Sequence, residues 1–151
     1  MQDKVIFGIV VGLLADAVKL LANYLGYLLN FTHVVFWQIT AARFLPKNDL
    51  YRPVAYLVGG LADLAVAAAL GVAFVYFLSL TGWRYTYIKG SGFGIITWVV
   101  LFGSILSHTT QNVITLQPQA IVVTAIAHLL FGLALAFFAT KLKQSPIAKL
   151  G

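Results

Sequence analysis

The 151-residue chain has no cysteine, only four prolines and only four acidic side chains against ten Lys plus Arg. Without cysteine there can be no disulfide framework, thiol nucleophile, thiolate metal site or iron–sulfur cluster. Charged residues make up 9% of the chain, where a soluble domain carries about 25%. So few charges cannot cover a water-facing surface. Apolar residues take their place: 61% of the side chains are hydrophobic and the mean hydropathy is +0.93. Apolar stretches long enough to cross a bilayer recur along the chain, which places it among integral membrane proteins.

The formal charge of +6 has a membrane meaning, because bases flanking apolar spans report topology and contact with anionic headgroups. No Lys/Arg run resembles a nucleic-acid-binding arm, so nucleic acid is not an expected partner. No G-x-S-x-G, Walker A, HExxH or dinucleotide fingerprint is present, and the loops are too short to form a catalytic domain. The chain therefore reads as a non-enzyme without a cofactor.

The pattern predicts an all-α fold, a single membrane domain over residues 1–151 with four transmembrane helices at residues 5–29, 53–80, 89–107 and 120–142. The first stretch is too long for a signal-peptide core and carries Asp16 and Lys19, so it reads as a retained helix. Pro53 suits a helix start, and Lys141 and Lys143 suit a helix end near headgroups. Residues 31–45, FTHVVFWQITAARFL, are too few to cross. They predict a short interfacial helix with Phe36 and Trp37 among the headgroups and Arg43 on phosphate, ended by Pro46. A re-entrant hairpin is the alternative. Residues 81–89, TGWRYTYIK, alternate rings with bases, which suits an interfacial belt with Arg84 and Lys89 on lipid phosphates.

With both termini cytoplasmic, the inner side holds Lys4, Arg84, Lys89, Lys141, Lys143 and Lys149, six bases against Arg43, Lys47 and Arg52 outside. The positive-inside rule favours that orientation. A faint internal echo is also present: Phe7-Gly8-Ile9-Val10 resembles Phe93-Gly94-Ile95-Ile96, and the stretch from Leu70 to Phe74 resembles that from Phe131 to Leu135. Such a repeat would be parallel, with a pseudo-two-fold along the membrane normal.

The most informative pattern lies on the first span. Gly8, Gly12, Asp16, Lys19, Asn23 and Gly26 recur at spacings of four, four, three, four and three, which puts them on one helix face. Gly8 and Gly12 form a GxxxG pair that permits close approach of another helix. The second span carries Gly60, Asp63, Ala67 and Gly71; the third Gly90, Gly94, Thr97 and Ser104; the fourth Thr124, His128, Gly132 and Ala136. Gly8, Gly12, Gly60 and Gly71 are thus candidate helix–helix contacts, and the four faces can meet as one bundle.

In this topology Asp16 and Asp63 fall near mid-depth, and Lys19, one turn from Asp16, can bridge both carboxylates. Each ionised group there costs about 2.5–3.5 kcal/mol on insertion scales, so the three imply pairing, a shared proton or trapped water. Two readings remain open. The charges lock helices together and do no chemistry. Alternatively the surplus carboxylate binds and releases a proton, cation or small solute, with Asn23 and His128 in the same cluster and the imidazole as relay. His33, His108 and His128 are far apart in sequence and form no close metal motif, so no metal is expected. Trp98 falls near mid-span, where its indole N–H needs an acceptor.

The stretch from Tyr27 to Thr32, the short surface segment, the run Gly92-Phe93-Gly94-Ile95-Ile96-Thr97-Trp98, and Thr124 with Phe131-Gly132-Leu133 together resemble the uncharacterised YqhR-like small membrane proteins of bacteria. That resemblance implies an architecture and a bacterial cytoplasmic-membrane setting, with no activity to carry over. Four short helices seldom enclose a pathway alone, so a homo-oligomer or a partner membrane subunit is the expected state alongside the lipid bilayer.

Overall fold

The computed structural model describes residues 3–106 and 116–143. His108 and Lys149 lie outside the described residues, as does the side chain of Ser104. The described chain is helical: α1 (Lys4–Leu28), α2 (Phe36–Ala41), a 3-10 turn (Lys47–Asp49), α3 (Pro53–Thr81), α4 (Thr86–Trp98) running on as a π-helix (Val99–Leu106), and α5 (Pro118–Lys143). Three of these, α1, α3 and α5, with 25, 29 and 26 residues, are long and apolar enough to cross a membrane. The protein is membrane-embedded on that ground.

Local chemistry sets the helix ends. Asp3 Oδ1 accepts from Val5 N at 2.8 Å and Ile6 N at 3.3 Å, capping the open donors of α1. Asp3→Ala is expected to cost about 1 kcal/mol, seen as faster amide exchange at Val5 and Ile6 with the rest of α1 unchanged. α3 opens on Pro53, whose missing N–H costs nothing in the first turn, and stops at Gly82, where φ is +82°. Lys89 is spent at that stop: its Nζ donates to the carbonyls of Thr81 at 3.0 Å and Gly82 at 2.7 Å. Arg84 lies over the Tyr85 ring at 4.8 Å, and Lys143 over Trp83 at 3.7 Å. Cations therefore gather with rings at this end, and Lys141 and Lys143 lie in the last turn of α5.

The predicted third span, residues 89–107, falls on α4, 13 residues long, and on the π-helix that continues it to Leu106, so it is a helix of two pitches and is not among the three long apolar α-helices. Hydropathy registers how apolar a segment is and is blind to a widened helix turn. One expectation needs correction, that for residues 31–45. Only Phe36–Ala41 is helical, and it does not lie on a surface, because Phe36 is 6% exposed and Ile39 and Ala41 are fully buried. α2 packs mainly on α3, so Phe36 faces protein and not headgroups. An apolar fifteen-residue stretch gains more by filling a gap between helices than by floating on one.

α1 is central, packed along both α3 and α5, while α4 packs on α5 and barely meets α3. The two tight contacts share a register. A Cβ on Gly71 would meet Gly8 O and the Gly12 backbone, and one on Gly132 would meet Gly90 O and the Gly94 backbone; likewise Ala67 O faces Gly12 as His128 O faces Gly94. The α1–α3 pair is thus matched by the α4–α5 pair, with Gly12 equivalent to Gly94 and Gly71 to Gly132. The sequence echo aligns Gly71 with Gly132, as the structure does, but Gly8 with Gly94, one turn out of step. In the structural register Asp16 corresponds to Trp98 and Asp63 to Thr124.

Candidate functional site

Where α1 and α3 cross, beyond the glycine contact, the three charged side chains meet. The 3.6-residue period turns Asp16, Lys19 and Asn23 toward the same interior as Gly8 and Gly12, and all five are buried. On α3 the same period carries Asp63 inward two turns before Gly71. Lys19 Nζ lies 2.6 Å from Asp16 Oδ1 and donates to Asp63 Oδ1 at 2.6 Å. Asp16 is fully buried, Asp63 is 3% exposed and Lys19 5%. The ammonium also lies 4.2 Å from the Phe36 ring centroid and 5.8 Å from that of Phe131. Two carboxylates and two aromatic faces therefore surround one cation.

The set is incompletely satisfied. Among the described residues, Asp16 Oδ2 and Asp63 Oδ2 have no hydrogen-bond partner, and Asp16 Oδ1 meets the ammonium without hydrogen-bond alignment. With all three groups ionised, one negative charge is in excess. A buried acceptor left unmet costs about 1–3 kcal/mol, and more when charged. The arrangement has acceptor capacity for a proton, a water or one small cation. No group of three potential metal-ligating side chains forms among the described residues.

Asn23 and His128 are placed otherwise. Asn23 Oδ1 accepts from Phe36 N at 2.8 Å, so Asn23 holds the start of α2. Gln38 supports the same turn, its Oε1 accepting from Val35 N at 3.0 Å and its Nε2 donating to Leu50 O at 3.1 Å. His128 Nδ1 lies 2.8 Å from Thr124 O, and its ring packs on Phe36 at 5.5 Å and Phe102 at 5.6 Å. No hydrogen bond links it to either carboxylate among the described residues. His128 belongs with Thr124, whose Oγ1 accepts from Trp98 Nε1 at 3.1 Å and donates to Ile121 O at 2.7 Å. In the matched helix pairs, a neutral Trp98–Thr124 bond thus occupies the place that Asp16 and Asp63 hold in the other pair.

Gly8, Gly12 and Gly71 lie at the α1–α3 contact. At Gly60 the nearest neighbour is α2: a Cβ on it would lie 3.4 Å from the Trp37 ring, and one on Gly59 would strike Trp37 O. These two glycines make the seat for α2. Arg43 and Asp63 line one cavity of about 240 Å³ between α2, α3 and the π-helix, together with Phe36, Thr40 and Phe102. Arg43 is exposed at its edge.

Sequence reasoning missed Phe36 as the ring over the ammonium and Gly59 as the partner of Trp37. The Gly59-Gly60 pair one turn before Asp63 was the available signal, because paired small residues beside a buried charge mark a close approach.

No protein-family model, curated protein or solved structure matches this chain.

Proposed function

We propose that this membrane-embedded protein binds and releases a proton or small monovalent cation at Asp16, Lys19 and Asp63 during transport across the bilayer. In this reading Thr86–Leu106 makes a fourth crossing, and the pathway is completed by a second copy or a partner membrane subunit. The setting is the bacterial cytoplasmic membrane with both termini inside, supported by the count of flanking bases. The observation that carries the transport reading is one buried ammonium shared by two carboxylates, with outer oxygens unmet. A purely structural pair needs one acid and one base. A second acid adds desolvation cost, and it earns a role when something positive comes and goes. The cavity lined by Asp63 supplies an approach from the open side between α3 and the π-helix.

A specific observation also favours a non-catalytic structural or assembly subunit. Lys19 ties α1 to α3 just beyond the glycine contact, as a lock would.

Proton and monovalent-cation flux into liposomes containing the purified chain separates the two, with Asp63→Asn as matched control. That variant leaves one carboxylate facing one ammonium, so it is expected to fold at least as well as the parent. Flux in the parent, reduced at least tenfold in the folded variant, is the expected result. No flux from folded parent protein would reject transport by this chain alone and favour the lock.

A further inference from the structure

A second cavity, of about 500 Å³, opens on the flank of the molecule between α1, α2 and α3. Its size lies within the range of small-molecule sites, about 300–1,000 Å³. Leu20, Asn23, Tyr24, Phe36, Trp37 and Tyr56 line it, with no Lys, Arg, His, Asp or Glu among its lining residues. Leu21, Tyr24 and Tyr56 are exposed on the helix faces beside it, so its mouth faces lipid in a bilayer.

Two of the lining side chains hold buried donors without an acceptor among the described residues, Asn23 Nδ2 and Trp37 Nε1. Asn23 is 1% exposed. Its amide orientation is set by the Phe36 N–H that Oδ1 accepts, so the NH2 is the unmet group. An indole N–H can only donate. What this wall lacks is therefore an acceptor, twice over. Asn23 lies five residues before the end of α1, about 8 Å in from it, among leucines where water does not satisfy backbone or side-chain donors. An anion would bring charge to a cavity without a cation, at high cost. A neutral oxygen on an apolar body has neither difficulty.

We propose that this cavity binds an uncharged, lipid-soluble molecule through a carbonyl oxygen that accepts from Trp37 Nε1 and Asn23 Nδ2. The aromatic lining suits a flat or chain-like apolar body entering from the bilayer. Quinone-type rings and acylglycerol esters both carry this chemistry. The site is separate from the charged trio, none of which lines the cavity, so a failure of transport leaves it standing.

The test is equilibrium binding of radiolabelled probes to the full chain in nanodiscs. The probes are a short-chain alkyl benzoquinone, dioctanoylglycerol, and an alkylbenzene of matched size without oxygen. Trp37→Phe keeps a ring against Gly60 and removes the N–H. It is expected to weaken binding of a carbonyl probe roughly three- to tenfold, the worth of one neutral hydrogen bond. Trp98→Phe, whose N–H is already bonded to Thr124, should bind as the parent does. Trp37→Phe without ligand should fold as well as the parent, because the deleted donor has no partner in the empty protein. Binding of the benzoquinone alone identifies a quinone-type ligand, and binding of the glyceride alone identifies a lipid ester. The proposal falls if neither carbonyl probe binds, if the alkylbenzene binds equally well, or if folded Trp37→Phe binds like the parent.

Discussion

Lys19→Met is expected to lose about 3–5 kcal/mol of folding free energy, the cost of removing one partner from a buried charge pair. Asp16 and Asp63 would then face each other with no cation between them, since Lys19 supplies the ammonium both approach at 2.6 Å. Methionine nearly conserves the volume of the stem, so contacts with Phe36 and Phe131 survive and the loss reports on charge. Reversible unfolding in mixed micelles measures it. The discriminating variant combines Lys19→Met with Asp16→Asn and Asp63→Asn, removing every charge at once, and should recover most of the loss. An equally unstable triple variant would mean that Lys19 acts by packing, and the electrostatic description of the site would have to be abandoned.

Gly71→Ala should destabilise the protein by about 3 kcal/mol, the upper end of ordinary overpacking. Its Cβ would run into Gly8 O and the backbone of Gly12, none of which is the movable tip of a side chain. α1 and α3 must separate, and the ion pair a few turns away stretches with them. Gly92→Ala is the matched control with the opposite sign. No atom lies within 4 Å of a Cβ there, and alanine in a helix interior gains up to about 1 kcal/mol over glycine. Thermal unfolding of both variants in one detergent decides the matter. Similar midpoints would show that α1 and α3 do not touch through these glycines. Because Gly8 and Gly12 are already covered by α3 within the same chain, their substitution is expected to impair folding of the single copy before it alters assembly size.

The face on α1 was legible because a glycine, a charge or an amide every three or four residues has only one arrangement on a 3.6-residue helix. Gly8, Gly12, Asp16, Lys19, Asn23 and Gly26 are indeed all buried. The meeting of Asp16, Lys19 and Asp63 was legible too, since unpaired charges are costly in lipid and few partners were available. Asn23 and His128 read equally well as members of that cluster, yet hydrogen bonds direct them elsewhere, to Phe36 N and to Thr124 O. Periodicity gives a residue's face and depth, but the choice of partner depends on neighbours that other elements bring.

The sequence by itself determined the membrane class, the three long apolar helices and the inward stripe, because hydropathy and helical period are local properties of the chain. Tertiary structure alone decided that α2 enters the bundle on the seat made by Gly59 and Gly60. It also decided that the helix from Thr86 widens at Val99, and that α4 matches α1 one turn from the apparent echo, although α5 matches α3 as the echo has it. Those outcomes rest on backbone-to-backbone approach between segments far apart in sequence. A glycine states that close approach is possible there, and only the assembled helices settle which backbone comes.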